Sequence, residues 1–283
     1  MLAILLACRV LLLTAPAGAT ISDLTKWTLV EDPAHPNFSA STQNAILPSS
    51  ATLLASGGPI PAGTDIGYQT VDGNTPATST MGYAFDPTTD FSLAIDFDWT
   101  FPTASLGQLA IGFGLGEDGD GVNSAGAVMV ANDGAIVPAV AGGARVGDAD
   151  YMTPLPIGPH FGSTGSFFAS FDAATGSVTL GIGAAGAVAP AFSNVYVGIQ
   201  DMWDPAMLDD KLLLASFFLR SDDVLFTPWQ SGSSQAIFSN FRILEGEAVR
   251  ISQESAVPEP GTGSLALLAL VFGLSRRRYR RQV

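Results

Sequence analysis

The chain predicts an all-β fold, a jelly-roll sandwich of two antiparallel sheets, with a short C-terminal transmembrane helix appended. Three observations point there. Apolar and polar residues alternate with a period of two through most of the body, and a helical period is almost missing. Turn sequences recur between the alternating runs, and the 283 residues include 31 glycines and 18 prolines. Roughly eleven short strands over about 200 residues are too many for one immunoglobulin-like domain and suit two packed sheets.

Taken in order, residues 1–19 contain the apolar pieces 2–7 and 10–13 and close on Ala17, Gly18 and Ala19, the small-residue pattern of a secretory signal peptide. Arg9 interrupts the apolar region, and no basic residue precedes it. The single cysteine, Cys8, falls inside this segment, so the exported body has no disulfide, thiolate nucleophile or cysteine metal site and must be held by packing.

The body is expected to span 20–250. Phe91, Leu93, Ile95, Phe97 and Trp99 alternate with Ser92, Ala94, Asp96, Asp98 and Thr100, a strand with one wet face. Leu109, Ile111, Phe113 and Leu115 alternate with Gly112, Gly114 and Gly116 in the same manner. Further strands are expected at 66–71, 81–85, 125–131, 167–171, 178–183, 195–200, 212–219 and 236–244, separated by turn sequences such as Asp72-Gly73-Asn74, Asp86-Pro87 and Asn132-Asp133-Gly134. The segments 91–99, 112–116, 171–180 and 238–244 together resemble the concanavalin A-like lectin and glucanase sandwiches. That resemblance implies a fold and no activity.

Charge narrows the partners. The chain has 12 lysines and arginines against 26 aspartates and glutamates, net −14. Arg9 and five tail arginines lie in segments expected to be removed or embedded, which leaves a body near −20. Such a surface disfavours nucleic acid, whose binding rests on cationic contacts to phosphate.

Catalytic constellations are sparse. His35 and His160 are the only histidines, and no His-Glu-x-x-His or Gly-x-Ser-x-Gly occurs. Asp96 and Asp98 face the same way along a strand, about 6.5–7 Å apart. The glucanases that the body resembles alternate Glu, Asp and Glu on such a strand. Here both positions are Asp and the third is Thr100, so a solvated face is the better reading and no enzyme is expected. Asp118, Asp120 and Asn123 supply oxygens in a Gly-rich loop, the donor type that Ca²⁺ prefers. The EF-hand spacing fails, and a hairpin with Asp-Gly turns competes. For sugar binding, Trp203 beside Asp201 and Asp204, and Trp229 beside Gln230, place aromatic rings next to polar groups in loops.

The end of the chain carries the most specific pattern. After a linker at 251–262 come an apolar run, expected as a transmembrane segment over 263–275, and a basic tail at 276–283. The run is only about 11 or 12 residues where a full span needs about 20, but arginine and tyrosine flanks extend it by snorkelling. Basic flanks hold that end in the cytoplasm. Pro258, Glu259 and Pro260, the apolar run, and Arg276, Arg277, Arg278, Arg280 and Arg281 together resemble the PEP-CTERM sorting signal. The resemblance implies export, membrane anchoring before processing, and an exosortase-type membrane protease as partner. The expected protein is thus a non-enzymatic component of the cell envelope or extracellular matrix that binds a polysaccharide, with a carbohydrate-active hydrolase as the alternative.

Overall fold

The computed structural model describes residues 23–43, 49–101, 104–203 and 212–252. The predicted signal peptide, Asp204, the Pro258-Glu259-Pro260 motif, the 263–275 apolar segment and the tail arginines lie outside the described residues. Among those described, no helix is long and apolar enough to cross a membrane.

Two antiparallel sheets form a jelly-roll sandwich. The larger runs in the order β1 (Thr28–Asp32), β4 (Asp65–Gln69), β15 (Leu214–Ser221), β7 (Gln108–Gly116), β8 (Ser124–Asn132), β9 (Ala135–Val146) and β10 (Ala149–Asp150), with β11 (Leu155–Gly158) also pairing with β9. The second runs β14 (Phe192–Tyr196), β13 (Ser177–Gly183), β12 (Thr164–Asp172), β6 (Phe91–Thr100), β16 (Gly232–Glu245), β3 (Ser50–Gly57) and β2 (Phe38–Gln43). A separate two-stranded sheet joins β5 (Met81–Phe85) to β17 (Ala248–Ser252).

The two-residue period decides which side chains go inside, because successive residues of a strand point to opposite faces. Phe91, Leu93, Ile95, Phe97 and Trp99 of β6 are all buried, as are Leu109, Ile111, Phe113 and Leu115 of β7. An aromatic column bridges the sheets. Phe217 of β15 stacks on Phe238 of β16 with centroids 4.4 Å apart, and Trp27 lies 5.3 Å from Phe217 and 5.0 Å from Phe241. A second stack runs Phe85, Phe91, Phe171 at 5.1 and 5.5 Å. Offset aromatic pairs of this kind add to the area they bury.

The ten strands expected from the sequence all form. The one at 195–200 moves back to Phe192–Tyr196, because Gly198 adopts the left-handed conformation and a short 3-10 helix follows over Ile199–Met202. The first three strands, β9, the short β10 and β11, and β17 were not expected. β1 and β2 lie at sheet edges and alternate weakly, and β9 carries Pro138, two glycines and alanines in place of large apolar residues.

Phe217 sits where the column crosses between sheets, so Phe217→Ala is expected to destabilise the protein by about 3–5 kcal/mol, measured as a shift in the urea midpoint at unchanged slope.

Candidate functional site

The outer face of the larger sheet holds the candidate site. Strand register lines up Gln69, Ser216, Gly114, Gly126 and Gly143 across β4, β15, β7, β8 and β9. The neighbouring row is Gly67, Phe218, Gly112, Val128 and Ala141, and the next contains Asp65, Arg220, Ala110 and Val130. On the other side, Ser124 pairs with Arg145. Three glycines and a serine in one row leave a trough with little side-chain bulk, running across the strands.

Two of these glycines have different causes. A Cβ at Gly114 would meet the Ala125 carbonyl oxygen at 2.3 Å, so the close approach of the strands requires glycine. A Cβ at Gly143 would meet nothing within 4 Å and its φ is ordinary. The backbone does not need glycine there; its absence of side chain keeps the trough open. Phe218 lies across Gly112, whose added Cβ would come within 2.5 Å of the ring, and the Arg220 guanidinium sits 5.8 Å from the ring centroid.

At one end the trough is polar, a hollow of about 130 Å³ lined by Asp65, Gln69, Asp118, Asp120, Arg145 and Arg220 among others. It opens onto a larger cavity of about 350 Å³ that shares Ser124, Arg145, Ser216, Phe218 and Arg220. Arg220 Nη2 donates to Asp222 Oδ2 at 2.9 Å and Arg145 Nη2 donates to Asp148 Oδ1. Three residues lining the hollow carry fully buried side-chain polar atoms with no protein partner, Gln69 Oε1, Arg145 Nε and Arg220 Nε, and Gln108 Nε2 is a fourth in the larger cavity. Unpaired buried groups cost about 1–3 kcal/mol each. Burial pushes the Asp65 carboxyl up to about 6, opposed by Arg220 and reinforced by Asp32 across the strand pair.

The residues singled out from sequence fall differently. Trp203 is 0% exposed and Trp229 2%. Both rings belong to the core, so neither can stack on a sugar from outside, a correction to the expectation. Loop aromatics here close the ends of the sandwich, where burying a large ring gains most. Trp203 Nε1 donates to the Arg145 carbonyl at 3.1 Å, so it supports the trough from behind. Asp201 is exposed on the 3-10 turn, and exposed Gln230 turns its Nε2 to the Pro228 carbonyl at 2.7 Å.

The loop expected to reach for calcium is closed on itself. Asp118 accepts from the Val122 and Asn123 amides at 2.7 and 2.9 Å, and Asn123 Oδ1 accepts from the Gly147 amide at 2.9 Å. Asp120 is exposed. Burial pushes the Asp118 carboxyl upward, partly offset by those amides. Among the described residues no three His, Cys, Asp or Glu side chains gather as metal ligands.

Asp96 and Asp98 lie on the outer face of the other sheet, away from the trough. Asp96 accepts from Ser166 Oγ, from Asn240 Nδ2 at 2.7 Å, from Arg242 Nη1 at 2.9 Å and from the Gly186 amide at 3.1 Å. Burial raises its pKa, but these hydrogen bonds outweigh it and hold the carboxyl below its ordinary value. Arg242 Nη2 also reaches the Ala187 carbonyl at 3.1 Å. The group is a clasp fixing segment 184–191 over the sheet, and Asp98 beside it is exposed.

The trough was not found from sequence because its row is assembled by register from five strands. The glycines at 112, 114 and 116 are the one signal, and in the sequence they mark only the second face of a single strand.

Comparison with known proteins adds the tail. Residues 256–281 match the PEP-CTERM protein-sorting motif. No curated protein matches the sequence. Among solved structures the chain is similar to an alginate lyase from Klebsiella pneumoniae, at 10% identity and TM-score 0.45, covering 79% of this chain and 96% of that one. It is also similar to the Bacillus licheniformis β-glucanase, at 7% identity, TM-score 0.44, 84% of this chain and 100% of that one. Peanut lectin follows at 10% identity, TM-score 0.37, 76% of this chain and 98% of that one.

Two outcomes follow from this geometry. Asp96→Ala strands a largely buried Arg242 and is expected to cost about 2–3 kcal/mol, with faster amide exchange over 184–191. Asp98→Asn should stay within about 0.5 kcal/mol. Separately, Asp65 ionises less readily in the fold than in the unfolded chain. Its stabilising contribution is therefore present at acid pH and is lost as pH rises from about 4 to about 6. Asp65→Asn should flatten that limb by on the order of 1–2 kcal/mol, allowing for solvent screening, in denaturant titrations across the range.

Proposed function

We propose that the protein is an exported, non-enzymatic component of the cell envelope or extracellular matrix whose sandwich binds a saccharide in the trough of the larger sheet. Export and handling by an exosortase-type membrane protease are supported by the PEP-CTERM motif over 256–281. In this reading the tail anchors the precursor at the membrane and is cut near Pro258-Glu259-Pro260.

The observation carrying the binding reading is the pairing of a bare row, Ser216, Gly114, Gly126 and Gly143, with a hollow at its polar end that mixes Asp65, Asp118 and Asp120 with Arg145 and Arg220. A sugar hydroxyl both donates and accepts, so it suits carboxylates and guanidinium groups alike. Phe218 offers a ring face to the apolar side of a pyranose.

One observation favours the hydrolytic alternative: a carboxyl raised to about 6 sits in the trough at Asp65, and perturbed carboxyls serve as general acids. Its neighbours Arg220 and Asp32 give it a structural role as well, so binding without turnover is the favoured reading.

Gly143→Leu fills the trough without touching the backbone. It is expected to reduce polysaccharide binding at least tenfold on a glycan array or by calorimetry while leaving thermal stability near wild type. Unchanged binding would count against the site, and release of reducing sugar abolished by Asp65→Asn would replace the non-enzymatic reading with the hydrolytic one.

A further inference from the structure

The trough is chemically two-sided along its length. Its polar end holds Asp65, Asp120, Arg145 and Arg220, whereas the larger cavity beyond Phe218 is mostly apolar, walled by Val128, Val130, Ala139, Ala141 and Pro154, with Gln108, Asp150 and Asp222 and the two shared arginines also reaching it. Its lips are exposed apolar side chains: Met152 is 59% exposed, Val224 67% and Leu225 60%. Three large apolar side chains left in water around one cavity are unfavourable unless something apolar covers them. At about 350 Å³ the cavity falls in the range of small-ligand sites.

The polar end restricts the head group. Arg220 and Arg145 are already tied to Asp222 and Asp148, and Asp65 and Asp120 add acidic oxygens beside them. A phosphate or carboxylate head brings acceptors alone and meets this acidic surround at a disadvantage. A neutral, hydroxyl-rich head donates to the carboxylates and accepts from the guanidinium groups of this lining.

From this we infer that the trough takes an amphiphilic saccharide, with its hydroxylated part at the Asp65 and Arg220 end and an aliphatic substituent along Val128, Val130 and Ala141. The inference rests on the saccharide-binding reading and assigns the ligand class within it. Phe218, between the two halves, packs against the junction of sugar and chain. Sugars bearing acyl or alkyl groups, such as acylated polysaccharide or glycolipid, meet the description.

The test uses the full chain and methyl, butyl, hexyl and octyl glucosides, galactosides and maltosides, each below its micelle concentration, by calorimetry. Affinity is expected to rise roughly two- to fourfold per methylene until the cavity is filled. Val128→Asp and Ala141→Asp, on register partners facing the cavity, are each expected to abolish that rise while the far-UV spectrum and melting temperature hold. Two variants guard against one failing to fold, and both retain the apolar tail, which controls for chain binding there. Octanoate, with the chain but a carboxylate head, should bind at least tenfold more weakly than octyl glucoside. No dependence on chain length, a dependence surviving in both variants, or octanoate binding equal to octyl glucoside would each overturn the assignment. Polysaccharide binding measured on the same samples separates the two failures: retained, only the amphiphile falls; lost, the saccharide reading falls with it.

Discussion

The two-residue alternation of β7 and β15 is the constraint on which the rest of the structure depends. Their inward residues, Leu109, Ile111, Phe113 and Leu115 on one strand and Ala215, Phe217 and Leu219 on the other, are buried against the second sheet. With no disulfide in the body, that apolar and aromatic contact must hold the sheets together. Because the inner face supplies the stability, the outer face of the same strands is free to carry Gly112, Gly114 and Ser216. A strand with glycine at every second position would be weak alone; packed on one side, it becomes a smooth floor.

The two outer faces have diverged in use. On the smaller sheet, Asp96, Ser166, Asn240 and Arg242 form a closed network that holds segment 184–191 in place. Within that network only Arg242 Nε lacks a protein partner. On the larger sheet, the ion pairs of Arg145 and Arg220 leave each Nε without a protein partner, and Gln69 Oε1 is likewise unpaired. The second face is the one that carries an open trough, and the perturbed carboxyl of Asp65 lines its polar end.

Much of the fold was legible because large apolar residues mark period two clearly, as in 91–100. Edge strands and β9 were not, since edges need only one paired neighbour and β9 alternates small residues whose burial carries little hydrophobic signal. The site was less legible. Trp203 and Trp229 lie in polar, proline-containing stretches, and local polarity says nothing about whether a ring turns inward to close the core. The acidic loop at 117–124 was read for its oxygens, but its own amides take up Asp118. The trough is a property of register: Gly143 and Gln69 are 74 positions apart in sequence and share a row only after five strands pair.

The central claim, that ligand binds across the larger sheet, is tested most directly by hydrogen exchange with and without a saturating soluble polysaccharide. Slowed exchange is expected in peptides covering 110–130, 139–146 and 214–222, with no change over 91–100 and 232–245. Protection confined to the latter pair would place the ligand on the Asp96 face and contradict the account.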